Sequence, residues 1–302
     1  MKKTRQRASG GGEKIDFYRT DLACEAAEAP AAEEERTTAM VLPGAQPVEI
    51  IRRRETDGTR SVTLACGRIT ARGEAEREGI SELLAKELGL FAKGMLGRVP
   101  DAACRILAVG LGNAHMSPDA IGPDTVRRLT VTRHLRAHDQ ALFGALGCCE
   151  LAALCPGVLA QTGMESGELV KAAVELVHPH LVVAVDALAA GSCDRLASTV
   201  QISDGGISPG AGLGNHRMAI TAETMGCPVM GVGVPTVVDS ATLVWDALAR
   251  AGVQTETIPP ELVRVLETGR SFVVTPKDCD EMVEATCRLL ARGLNLAFGV
   301  VE

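Results

Sequence analysis

Two aspartates stand where an α/β protein would keep reactive groups. Asp119 lies in GLGNAHMSPDAIGP, just beyond the apolar run RILAVG, and Asp186 directly follows the apolar run LVVAV. In open α/β sheets, reacting groups collect beyond the carboxyl ends of the strands. If both runs are parallel strands, the two carboxyls emerge on one edge of the sheet. An acid behind five apolar residues is costly to bury without a partner, which raises Asp186 above the other acidic residues. Two neighbouring carboxyls cannot both ionise cheaply, so one keeps its proton while the other carries charge. The charged member can take a proton from water, and the protonated one can polarise a carbonyl or protonate a departing amine. Each well-placed group of this kind contributes about 10²–10⁴-fold. The plainer use of the same residues is Asp119 capping a turn after Ser117-Pro118 and Asp186 tying down a loop. Residue types alone leave both uses open.

Other motifs offer less. GLGN is half a dinucleotide fingerprint, but His115 stands where the third glycine of Gly-x-Gly-x-x-Gly belongs. DGGISPGAGLGN (204–215) lacks the Gly-Lys-Ser/Thr ending of a phosphate loop and reads as a loop that admits or covers an extended peptide. Asp239, after the run PVMGVGVP, is a reserve acid or a helix cap. The ten cysteines contain no Cys-x-x-Cys pair, and the six histidines form no His-Glu-x-x-His helix. They read as reduced, small apolar residues, with His178 and His180 in a loop. No cofactor and no metal ligand set is expected, although metal catalysis stays open.

The elements that would position the two acids are legible as alternating strands and helices. VEII and SVTLA are short strands, and Ile80, Leu83, Leu84, Leu88, Phe91 and Met95 fall near one face of a long helix. Strands are expected at RILAVG, LVVAVDAL (181–188), STVQI (198–202), PVMGVGVP (228–235) and SFVV. Helices are expected over 123–135, 168–177, 239–251 and 276–292. Near-continuously apolar strands alternating with helices imply an α/β fold, with a largely parallel central sheet and helices on both faces. The polar, basic start (1–21) reads as a mobile tail and 22–302 as one α/β domain, whose acidic, Ala-rich opening to Arg36 is expected to be partly helical. A net charge of -7 and 2% aromatic residues argue against direct nucleic-acid binding. No apolar run is long enough to cross a membrane.

Taken in order, RTDLACEA, AVGLGNAHMSPDAIGPDTVRRLTVTRHL, CPGVLAQTGMES, VVAVDALAAGSCDRLASTVQISDGGISPGAGLGN, GVPTVVDS and VVTPKDCD resemble the germination proteases, spore endopeptidases. The resemblance implies an atypical aspartic-type peptidase with an architecture like that of the hydrogenase-maturation endopeptidases. The family's two essential aspartates match Asp119 and Asp186. It further implies small acid-soluble spore proteins as substrates, synthesis as a zymogen, a homotetramer, and a place in the cytoplasm of the forespore or spore core. Family substrates are cut between an acidic and an apolar residue followed by Ala, a small residue and Glu. Asp21, Leu22, Ala23, Cys24 and Glu25 follow that order, which implies removal of residues 1–21 as a propeptide by cleavage of the Asp21–Leu22 bond. The stretch between GVPTVVDS and VVTPKDCD is shorter than is typical of the family. A catalytically silent member that binds spore proteins, and a metal-assisted peptidase, are the alternatives.

Overall fold

The computed structural model describes residues 7–8, 13–14, 20–25, 32–207, 218–253, 259–268 and 272–299. Near the start, β1 (Arg7–Ala8) pairs antiparallel with β2 (Glu13–Lys14). A single nine-stranded sheet organises the rest. Its strands are β3 (Glu33–Ala39), β4 (Val48–Arg54), β5 (Arg60–Ala65), β6 (Arg105–Gly110), β7 (Glu150–Leu154), β8 (Leu181–Ala190), β9 (Thr199–Ser203), β10 (Val229–Asp239) and β11 (Val273–Val274). They run in the order β3-β4-β5-β9-β10-β8-β6-β7, with β11 beside β10. The helices are α1 (Glu74–Leu96), α2 (Ile121–Val126), α3 (Arg133–His138), α4 (Gln140–Leu146), α5 (Leu159–Thr162), α6 (Ser166–Val177), α7 (Ala222–Met225), α8 (Ser240–Arg250), α9 (Pro260–Thr268) and α10 (Cys279–Phe298).

The expected α/β architecture holds, but its sheet is mixed rather than largely parallel and has two halves. Strands β10, β8, β6 and β7 are parallel, whereas β9, β5, β4 and β3 continue the sheet antiparallel. Alternation along the strands feeds two cores. Val183, Val185, Val200, Val232 and Val234 pack under α1, α2 and α10. On the opposite face, Leu107, Val109, Val182 and Ala184 pack under α6 and α7. The stripe Ile80, Leu84, Leu88 and Phe91 is the buried face of α1, as its spacing implies.

Three further expectations change. The acidic lead-in is not helical over Glu33–Ala39, which forms the edge strand β3. Glu33, Glu34 and Glu35 stand opposite Arg54, Arg53 and Arg52, and such cross-strand pairs stabilise an otherwise exposed strand. The single helix expected over 123–135 breaks into α2 and α3. Thr132 leaves helical geometry because its N–H donates to the Leu151 carbonyl (2.9 Å) and its hydroxyl to that of Cys149 (2.7 Å). Strand β8 runs on past the expected 188 to Ala190, and Asp186 lies within it.

Candidate active site

The chain leaves β6 still bound to its neighbour, with the Leu111 N–H donating to the Val185 carbonyl at 2.9 Å. It then turns sharply at Gly112, whose φ of +111° favours glycine and whose absent Cβ would lie 2.1 Å from the Asp119 carbonyl oxygen. The loop folds back on itself through two bonds. The Asp119 N–H donates to the Met116 carbonyl (2.7 Å), and the Asp119 carboxylate accepts from the Asn113 N–H (2.8 Å). The Thr236 hydroxyl holds the Pro118 carbonyl at 2.6 Å, tying this loop to β10. Gly122 then wedges α2 against the sheet, its missing Cβ leaving room for the Leu111 and Val185 carbonyl oxygens. These contacts carry Asp119 over the sheet beside β8.

Asp186 stands in register with Gly233 of β10 and is only 8% exposed. Its carboxyl accepts from the Ala187 N–H at 2.9 Å. Burial pushes its pKa well above the ordinary carboxylate range, and the charge of Asp119 pushes it further, as does that of Asp21 more weakly. The charge of Asp119 is thus felt at Asp186, despite their distance along the chain. Their interaction has the sign required for a pair sharing one proton.

A segment from the chain's own start lies beside them. The Asp21 N–H donates to the Ala189 carbonyl (2.9 Å), and the Ala189 N–H returns a bond to the Asp21 carboxylate (2.9 Å). Leu22 is 1% exposed, packed among Ile51, Leu188, Ala190, Leu196 and Val238. Glu25 accepts from the Gly191 N–H (2.6 Å) and from the Thr20 hydroxyl, and burial raises its carboxyl's pKa. Gln201 holds this segment from β9: its Nε2 donates to the Asp21 carbonyl (3.1 Å), and its Oε1 accepts from the Ala23 N–H (2.5 Å). Sequence reasoning found Asp21 and Leu22 but missed Gln201. The available signal was an amide side chain inside a short apolar strand.

The remaining candidates take structural places. Asp239 caps α8, accepting from the Thr242 N–H at 2.6 Å. His178 ends α6, and His180 Nδ1 accepts from the Arg105 N–H at 2.9 Å, both in the expected connection. All ten cysteines are free thiols. Among the described residues, no three His, Cys, Asp or Glu side chains gather closely enough to hold a metal ion. The glycine-rich stretch 204–215 lies partly outside the described residues. GISPG (206–210) within it spells Gly-x-Ser-x-Gly, but a nucleophile elbow needs a strand on one side and a helix on the other. Here Ile207 instead pairs across to Ile220 as an isolated bridge.

Fold and site together define an α/β protein in which the loop after β6 carries Asp119 and a buried Asp186 lies within the neighbouring strand β8. A germination protease family model matches residues 47–250. A germination protease of Clostridium acetobutylicum is 35% identical over 320 residues, covering 94% of this chain and 95% of the relative. One from Caldanaerobacter subterraneus is 36% identical over 305 residues, covering 92% and 93%. A Clostridium perfringens relative is 40% identical over 218 residues, and that match spans 63% of this chain and 65% of the relative's length. The chain belongs to the germination protease family.

Proposed function

We propose that this protein is an endopeptidase that begins the degradation of small acid-soluble spore proteins during germination, using water activated between Asp119 and Asp186. In this reading it is made as a zymogen in the forespore cytoplasm, cuts itself at Asp21–Leu22, and assembles as a homotetramer. Burial makes Asp186 the member that holds the proton, which leaves Asp119 to draw a proton from water. The water oxygen adds to the Asp21 carbonyl carbon. The protonated carboxyl then passes its proton to the Leu22 nitrogen as the carbon–nitrogen bond breaks, so that a carboxylic acid and an amine are released. The observation that carries the reading is the seating of segment 20–25. An acidic–apolar step is held just before a turn, with the apolar side chain in a closed pocket and the acidic one near enough to Asp186 to influence its proton. Family membership supports peptidase chemistry independently.

Incubating the full chain at mildly acidic pH and reading its N-terminus by mass spectrometry tests this. A new terminus at Leu22 is expected, together with cleavage of an added spore-protein substrate. Asp119→Asn and Asp186→Asn, which keep side-chain volume, are each expected to slow both reactions by at least ~10²-fold. Parental rates in both variants would refute the mechanism. Substrate retention without cutting by the parent chain would favour a silent binding protein.

A further inference from the structure

We infer that Gln201 is a catalytic residue whose side-chain amide grips the scissile peptide unit and polarises its carbonyl. This rests on the proposed cleavage at Asp21–Leu22. The Asp21 carbonyl oxygen, the one that would gain negative charge as water adds, receives Gln201 Nε2–H at 3.1 Å. The same amide turns its oxygen to the Ala23 N–H at 2.5 Å. One planar group therefore bridges the carbonyl of the bond and the amide one residue further on, across Leu22, and fixes the segment's position along the strand. A lone donor would not set that register.

The sheet dictates why the residue at 201 meets the acid pair. Ile51, Thr63, Gln201, Gly233 and Asp186 form one row across five adjacent strands. In-register neighbours point to the same face, so Gln201 and Asp186 flank Gly233, their Cα atoms about 10 Å apart at a strand spacing of ~4.8 Å. The gap above Gly233 is occupied by Leu188: a Cβ at 233 would lie 2.4 Å from its Cδ1. Leu188 also lines the pocket around Leu22. The peptide carbonyl thus meets Gln201 on the sheet face that also carries Asp186.

With the segment seated, Gln201 is only 9% exposed, which keeps water from competing for its amide. Donors aimed at an oxygen that becomes charged act mainly on the transition state, and removing one costs about 10²–10³-fold in rate. That separates this role from simple peptide binding.

The test follows the first-order appearance of the Leu22 terminus in the full chain, for parent, Gln201→Leu and Gln201→Glu, between about pH 4 and pH 7. Gln201→Leu removes the donor at similar volume and is expected to slow processing about 100-fold at every pH. Gln201→Glu lacks the donor when ionised and regains an O–H donor when protonated, ordinarily near pH 4.3. Its rate relative to the parent is expected to recover as pH falls. Parental rates in Gln201→Leu, or an equal deficit of both variants at all pH values, would overturn the role of Gln201 and leave the acid pair standing. A parent chain that never yields the Leu22 terminus would overturn both. Should Gln201→Leu fail to fold, the pH course of Gln201→Glu decides alone.

Discussion

Leu22→Ala isolates the docking of the N-terminal segment from the stability of the domain. The side chain is 1% exposed, in a pocket built by Ile51, Leu188, Ala190, Leu196 and Val238 from four different parts of the sheet and its loops. Truncation removes three carbon atoms, worth roughly 0.8 kcal/mol each on transfer, or about 2–3 kcal/mol before any cavity cost. The segment is anchored to the domain by hydrogen bonds to Ala189, Gly191 and Gln201, so that loss falls on the balance between docked and undocked segment. At about 1.4 kcal/mol per tenfold, docking weakens by some 30–150-fold. Hydrogen exchange resolved to single amides reads this directly. The N–H groups of Asp21, Ala23, Ala189 and Gly191 should lose protection by that factor, while Val182 to Val185 in the same strand keep theirs. Leu22→Met, which nearly conserves volume, should lose far less. Unchanged protection at the four amides would refute the pocket as the anchor, and uniform loss across β8 would make Leu22 part of the global core instead. Processing should slow with undocking. If protection falls while the cleavage rate does not, the docked geometry is not the reactive one.

The proton on Asp186 gives a pH signature. Its carboxyl is harder to ionise folded than unfolded, so the folded chain binds the extra proton between the ordinary carboxylate range and the raised value. Stability from this site is therefore full below the unfolded pKa and is lost as pH rises through the folded one. Asp186→Asn should raise the melting temperature at neutral pH, and the gain should vanish toward pH 4; a variant less stable at pH 7 would contradict the buried, repelled carboxyl. Gly122→Ala places a Cβ 2.2 Å from the Leu111 carbonyl oxygen and 2.4 Å from that of Val185, both backbone atoms that cannot step aside cheaply. Overpacking of this kind costs about 1–3 kcal/mol or more, so the urea midpoint should drop and processing with it as the Asp119 loop is pushed off β8. An unchanged midpoint would show that the wedge is not tight.

Much of this site was legible because its acids follow apolar runs, and buried parallel strands advertise themselves by unbroken hydrophobicity. RILAVG and LVVAV fall in β6 and β8, parallel neighbours in the sheet, and so bring Asp186 next to the end of β6, from which the Asp119 loop starts. What escaped was stabilised by partners remote in sequence. The edge strand β3 has no apolar alternation, and its signal lay in the match of EEE at 33–35 to RRR at 52–54, visible only when the two segments are read together. The break between α2 and α3 is a tertiary event, in which Thr132 exchanges a helical bond for two with Leu151 of β7. Gln201 is the most instructive case. Inside STVQI, an amide reads as a blemish in a strand, because the peptide unit that satisfies it enters from residues 21 and 23. A buried polar side chain in an apolar strand demands a partner, and where the strand ladder cannot supply one the partner must come from elsewhere. Here it comes from the segment whose sequence already resembled a cleavage site. The unexplained amide and the acidic–apolar step are therefore two halves of one contact.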